Sequence, residues 1–231
     1  MSYLDEAQYV LDHGFVLYRH HMGDDLAVVH NARQSYDAEW TAGIDGLGDD
    51  KLIRYLMENG HNTPFEVCAV TIQVKAPIFV FRQWHRHRTQ SYNELSARYR
   101  ELDAEFYIPE LDQITTQSPD NKQMRTKEQN PDAKYIRDYM IIQNNQAFEM
   151  YKILLSRGCP RELARSILPV GTYSTMSATA NLHNWMNFLR ERLHPHAQYE
   201  IQVYAFIVSC ILEELFPVTM RHFNNEPEST S

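Results

Sequence analysis

"VTIQVKAPIFVFRQWHRHRTQSYNELSARYR", residues 70–100, changes character twice. As far as Pro77, Val70, Ile72 and Val74 alternate with Thr71, Gln73 and Lys75, the period of a half-buried strand. Pro77 closes that strand and suits the first turn of a helix through "PIFVFRQWH". The apolar residues then give out, and residues 86–100 hold four arginines, a histidine, a glutamate and two serines. A solvated face needs no such mixture. A site that grips an anion and a polar heterocycle does.

The rest of the chain mixes helices and strands without regular βαβ alternation, which favours one α+β domain over residues 1–220. "DDLAVVHNARQSY" (24–36) has the spacing of a short amphipathic helix. "GDDKLIRYLMENG" (48–60) reads as a second, capped by Asp49 or Asp50 and ended by Gly60. The polar segment 112–132 reads as a long loop or insertion. A long helix follows from about Asp132 to Arg157, with Gly158 as terminator. "CPRELARSILP" is a short helix, "TYSTMSATA" (172–180) a strand, and 181–193 and 197–215 are helices. Residues 221–231 read as a disordered tail.

Bulk properties narrow the function. The formal net charge of −8 argues against a nucleic-acid binder held by bulk electrostatics, so any basic site is local. Cys68, Cys159 and Cys210 are far apart and form no CxxC pair, which suits a reducing cytosol rather than a disulfide or zinc framework. "MSYLDEAQYVLDHG" does not read as a signal peptide, and no run has the length of a membrane span. A cytoplasmic protein is expected, without nucleic-acid or membrane partners.

In "QWHRHR" (83–88), Arg86 and Arg88 supply planar forks suited to phosphate or carboxylate. An extended backbone would point them one way and His85 and His87 the other; a solvated basic turn is the plainer alternative. Asn93, Glu94, Ser91 and Ser96 can read a ring with imide N–H and carbonyl groups, although Glu94 could equally be a counter-ion. His61 falls in a turn between a helix and a strand, and Arg165 alone reads as a helix-surface cation. In the helix from Asn181, Asn184, Asn187 and Glu191 form one stripe and Asn181, Trp185, Phe188 and Arg192 another. His194 and His196 lack the partners of a metal site, as do His85 and His87. No GxGxxG or P-loop lysine motif occurs.

Arg86, His87, Arg88, Ser91, Asn93, Glu94, Ser96 and Arg98 match every fixed position of RHRxxSxNExSxR, and here the chain resembles the flavin-dependent thymidylate synthases. The likeness extends to "HNTPFE" (61–66), "RQW" (82–84), "ARSILP" (164–169), "NLHNWMNFLRER" (181–192) and "HAQYEIQ" (196–202), covering residues 25 to 217. It implies a mostly antiparallel central sheet flanked by helices, not a Rossmann fold. It also implies synthesis of dTMP from dUMP, with methylene-tetrahydrofolate as carbon donor, reduced FAD as hydride donor and NADPH as reductant. A homotetramer with active sites at subunit junctions is implied, and no metal. By the same resemblance FAD meets Thr63, Arg86, His87, Arg88, Glu94, Asn181, His183, Asn187 and His196. For His183, which stands where other members often carry arginine, only the backbone contact transfers. The dUMP contacts are Gln83, Arg86, Glu94, Leu95, Ser96, Ala97, Arg98, Arg165 and Arg192. Arg192 is the catalytic group, and His61 lies on the folate and flavin side.

Three rivals remain at this stage. A degenerate member would bind nucleotide and flavin without turnover. An RNA-binding module would use "HRHR" with Tyr92 and Tyr99 as stacking groups. A metallohydrolase would use the four paired histidines, but lacks carboxylates beside them.

Overall fold

The structure is a computed structural model and describes residues 2–35 and 46–225. In chain order the strands are β1 Gln8–Val10, β2 Gly14–Met22, β3 Ala69–Pro77, β4 Ser91–Glu94, β5 Thr115–Gln117, β6 Arg125–Gln129 and β7 Tyr173–Asn181. The helices are α1 Asp25–Gln34, α2 Gly46–Glu58, α3 Ile78–Trp84, α4 Ala133–Ser156, α5 Arg161–Ala164, α6 Leu182–Arg192, α7 Tyr199–Leu215 and α8 Pro217–Asn224. Five strands form one sheet in the order β1-β2-β3-β7-β4, antiparallel at every pairing. The α+β architecture with an antiparallel central sheet is the one expected.

The alternation read in β3 decides the sheet's two faces. Val70, Ile72 and Val74 are fully buried, as are Met176, Ala178 and Ala180 of β7, which runs beside β3 from Ala69↔Asn181 to Pro77↔Tyr173. On the opposite face the Thr71 and Thr179 hydroxyls bond at 2.8 Å, a cross-strand polar pair. The apolar face packs under α3, α6 and α7, with Ile201, Tyr204, Val208, Ile211 and Leu212 of α7 in the core. Trp84, Trp185 and Phe188 are fully buried, and the Trp84 and Phe188 rings lie 4.5 Å apart. Each such burial contributes about 1.5–3 kcal/mol. Trp84 is the last residue of α3, so this cluster anchors the chain immediately before the arginine-rich turn.

Several local expectations change. Residues 85–90 form successive turns rather than extended chain, with Arg86 N–H donating to Gln83 O and His87 N–H to Trp84 O. Asp49 and Asp50 lie inside α2 rather than ahead of its first residue. Asp49 instead pairs with Arg33 at 2.7 Å, and Asp50 meets Arg221 at 2.7 Å and His222 at 2.6 Å. The polar segment 112–132 is not a loop: β5 and β6 form an antiparallel hairpin. A Thr116–Thr126 hydroxyl bond at 2.6 Å crosses it, so polar pairs replace the apolar alternation that would have announced strands. The chain stays helical through Asn224, past residue 221, because the Asp25 carboxylate accepts from Val218 N, Thr219 N and the Thr219 hydroxyl, satisfying the start of α8. Tyr36 and residues 226–231 of the expected tail lie outside the described residues.

Candidate active site

The signature occupies the end of α3, the turn 85–90, the edge strand β4 and the turn after it. Tyr92 of β4 holds the turn: its hydroxyl donates to His87 O at 2.7 Å and lies 3.1 Å from Trp84 O. Burial lifts the Tyr92 phenol to about 12, so it stays a donor. Trp84 Nε1–H donates to Gln90 at 3.0 Å and fixes the turn's far end. The exposed side chains of Arg86 and Arg88 have no hydrogen-bond or ion-pair partner among the described residues. Two free guanidinium forks are thus held out from a rigid turn, the arrangement an anion requires.

Within this frame the expected residues fall into separate groups. In the first, Arg192 at the end of α6 donates from Nε to His87 Nε2 at 3.0 Å and from Nη2 to the Gln83 carbonyl at 3.4 Å. The second contact places a cation at the C-terminal end of α3, the favourable end for it. Burial, then the Arg192 charge, pulls His87 down to about 4, so its imidazole is neutral and accepts at Nε2. Burial also lowers Arg192 from its ordinary value; Glu191 opposes this and Arg86 adds to it. Arg192 nevertheless stays charged.

The second group forms on α5. Arg98 Nε lies 3.6 Å from the Glu162 carboxylate, and Arg165 Nε donates to the Glu162 carbonyl at 3.3 Å. Arg98 N–H meets the Ser96 hydroxyl at 3.3 Å, and Leu95 N–H bonds Thr175 O at 2.8 Å, so the turn after β4 is tied to β7 while Ala97 is buried. Glu94 is exposed with no side-chain partner among the described residues, so it is not a counter-ion to these arginines.

The third group lies where β7 becomes α6. Asn181 caps α6 by accepting from Asn184 N–H at 2.9 Å. Asn187 receives Arg190 on Oδ1 at 3.0 Å and meets His183 Nε2 from Nδ2 at 3.1 Å. His183 Nδ1 is then a buried donor with no partner among the described residues, while burial keeps the ring's pKa low. Nearby, Thr63 opens a 3-10 turn packed against α6, and His61 stands edge-on to Tyr55 with centroids 5.6 Å apart. Both line a cleft of about 780 Å³ with Asn31 and Asn62. His196 lies apart from these groups. Its N–H meets His194 Nδ1 at 3.1 Å, and it lines a cleft of about 490 Å³ against the β5–β6 hairpin.

No described contact joins the Arg98–Arg165 group to the Arg192–His87 group. A more apolar cleft of about 540 Å³, between the β1–β2 turn and α7, contains none of the signature residues. Among the described residues no group of three or more His, Cys, Asp or Glu could hold a metal, and no helix is long and apolar enough to cross a membrane. Sequence reasoning missed Glu162, whose carboxylate lies beside Arg98 and whose main-chain carbonyl receives Arg165, and a chain of polar contacts from Gln83 through Gln198 to Glu200. The last two lie in "HAQYEIQ", a stretch whose likeness was visible although its residues received no role.

An antiparallel α+β frame that holds exposed arginines, unpaired among the described residues, beside a neutral histidine has the chemistry to bind an anion. Residues 16–218 match the family model described as thymidylate synthase complementing protein. A flavin-dependent thymidylate synthase of Ehrlichia ruminantium (strain Gardel) is 45% identical over 216 residues, 93% of this chain and 71% of that protein. The protein of that name from Thermosipho africanus is 44% identical, covering 93% of this chain and 92% of its own length. A solved structure of a UMP/dUMP methylase, PolB from Streptomyces cacaoi bound with 5-Br dUMP, superposes with a TM-score of 0.87 at 35% identity over 97% of this chain and all of that one. The chain belongs to the flavin-dependent thymidylate synthase family.

Proposed function

We propose that this protein converts dUMP to dTMP, with methylene-tetrahydrofolate as carbon donor, FAD as cofactor and NADPH as its reductant, in a cytoplasmic homotetramer. The observation that carries this reading is the Arg192–His87–Gln83 cluster beside the free guanidinium groups of Arg86 and Arg88. It supplies cationic and neutral hydrogen-bonding groups side by side, as a nucleotide demands.

The residues fit FAD. Arg86 and Arg88 offer charge-assisted bonds to a pyrophosphate. His183 Nδ1–H is a buried donor with no acceptor among the described residues, and Asn181 and Thr63 border the same region. His87, Glu94, Asn187 and His196 complete the proposed contacts, and His61 faces the folate and flavin side. When bound, reduced FAD supplies a hydride.

For the nucleotide, Arg98 and Arg165 take the phosphate, aided by the amides near Ser96 and Ala97. Leu95, Glu94, Arg86 and Gln83 border the pyrimidine. Arg192 faces the ring and stabilises negative charge on N3 or its carbonyl, making C5 nucleophilic toward the methylene carbon. Its bond to neutral His87 keeps the guanidinium in place without neutralising it. The Arg98–Arg165 group and the Arg192 group share no contact among the described residues, which a site completed between subunits would accommodate.

The test is a binding experiment. Protein loaded with FAD should show a saturable change in flavin absorbance on addition of dUMP, with UMP titrated in parallel to measure discrimination by the sugar. Failure to retain flavin, or no response to either nucleotide, contradicts the reading.

A further inference from the structure

We propose that Gln198 and Glu200, held by Arg125 of the β5–β6 hairpin, are positioning residues that set which way the Gln83 amide faces. The inference rests on the functional reading above, in which Gln83 borders the pyrimidine.

Glu200 is 3% exposed, yet its carboxylate is fully engaged. Oε1 accepts from Arg125 Nη2 at 2.8 Å and from the Tyr107 hydroxyl at 3.2 Å, and Oε2 accepts from Gln198 Nε2 at 2.7 Å. Arg125 is itself fixed, donating from Nη1 to Gln113 O at 3.0 Å and lying over the Tyr199 ring at 5.4 Å. Burial, with Glu200 beside it, raises the Tyr107 phenol, so that group too remains a donor.

A carboxylate held by an arginine can only accept, so Gln198 must turn its NH2 toward Glu200. Its carbonyl oxygen then faces Gln83, whose Nε2 donates to it. Among the described residues Gln83 is left with its side-chain carbonyl oxygen and one N–H unused. That donor–acceptor pair matches an imide edge, and its polarity is dictated by Glu200 two side chains away. Without the carboxylate the two amides could flip together and present the reverse pattern. The same amide chain ties the polar hairpin to the backbone carbonyl that Arg192 touches.

The test is a double-mutant cycle on FAD-loaded protein, reading the dissociation constant for dUMP from the flavin absorbance change. Glu200→Gln should weaken dUMP about tenfold, the scale of one mispaired polar contact. The same change in a Gln83→Ala background should have less than about a twofold effect, because the amide it orients is gone. Gln198→Ala, at an exposed position where folding is secure, should give the same loss and the same disappearance. Equal losses in both backgrounds, or a lowered melting temperature with unchanged dUMP affinity, would overturn the relay and leave Glu200 a structural anchor. A wild-type protein that binds flavin but no dUMP would overturn the functional reading and the relay with it.

Discussion

Arg192 and His87, 105 residues apart in sequence, meet through a 3.0 Å bond from Nε to Nε2 that joins the last turn of α6 to the arginine-rich turn. The bond exists because His87 is neutral. In the unfolded chain a histidine takes its proton near about 6.5, whereas in this fold His87 does so at about 4. Between those values the unfolded state binds more protons, so stability falls as pH drops from 6.5 to 4 and changes no further from this group below that. His87→Gln keeps an acceptor for Arg192 without a titrating proton. Urea unfolding across this window should show the wild type losing stability relative to the variant as the solution is acidified. A constant difference would mean that His87 does not titrate as described.

Arg192→Ala should lower kcat by about 10²–10³-fold, the usual effect of removing one group that stabilises developing charge. Its melting temperature should move little, since the guanidinium lies at the end of α6 and outside the apolar core. Arg192→Lys should restore little activity, because an ammonium cannot serve His87, the Gln83 carbonyl and a ligand in one plane. Steady-state kinetics with a thermal scan checks both.

Arg98→Ala and Arg165→Ala should each raise the dissociation constant for dUMP by about 10- to 100-fold, the scale of a charge-assisted bond. Neither should much alter binding of deoxyuridine, which has no phosphate. Titration of both ligands separates these outcomes, and equal loss for deoxyuridine would move the arginines away from the phosphate.

Gly14 offers a test of packing far from the chemistry. A Cβ there would lie 2.0 Å from the Tyr204 hydroxyl, 2.6 Å from Val10 O and 2.9 Å from Lys75 O. Two of those three are backbone, and Tyr204 is pinned by its own 2.8 Å bond to Lys75 O. Gly14→Ala should therefore cost about 1–3 kcal/mol, the range for overpacking, measured by denaturant unfolding with unchanged flavin binding in the surviving folded protein.

The elements legible in sequence are those whose apolar pattern is local. Val70, Ile72 and Val74 announce β3, and Gly158, at φ +81°, ends α4 as expected. The hairpin of β1 and β2 went unread because a register shift between Tyr18 and His20 breaks the alternation, leaving the exposed "RHH" on a strand. β5 and β6 escaped because threonine hydroxyls and Arg125, rather than apolar faces, hold them. The resemblance named Gln83, His87 and Arg192 one by one. Nothing in their spacing disclosed that they bond one another, since that proximity arises from α3 and α6 packing through Trp84 and Phe188. Glu162 was invisible for the same reason: its role depends on where α5 lies.

The most direct test of the central claim is an anaerobic single turnover. The protein, loaded with FAD and reduced, is mixed with dUMP and methylene-tetrahydrofolate while flavin absorbance and dTMP are followed. The expected result is flavin reoxidation with an equivalent amount of dTMP. Bound flavin that stays reduced, with no dTMP formed, would contradict the synthase reading and leave a protein that only binds these ligands.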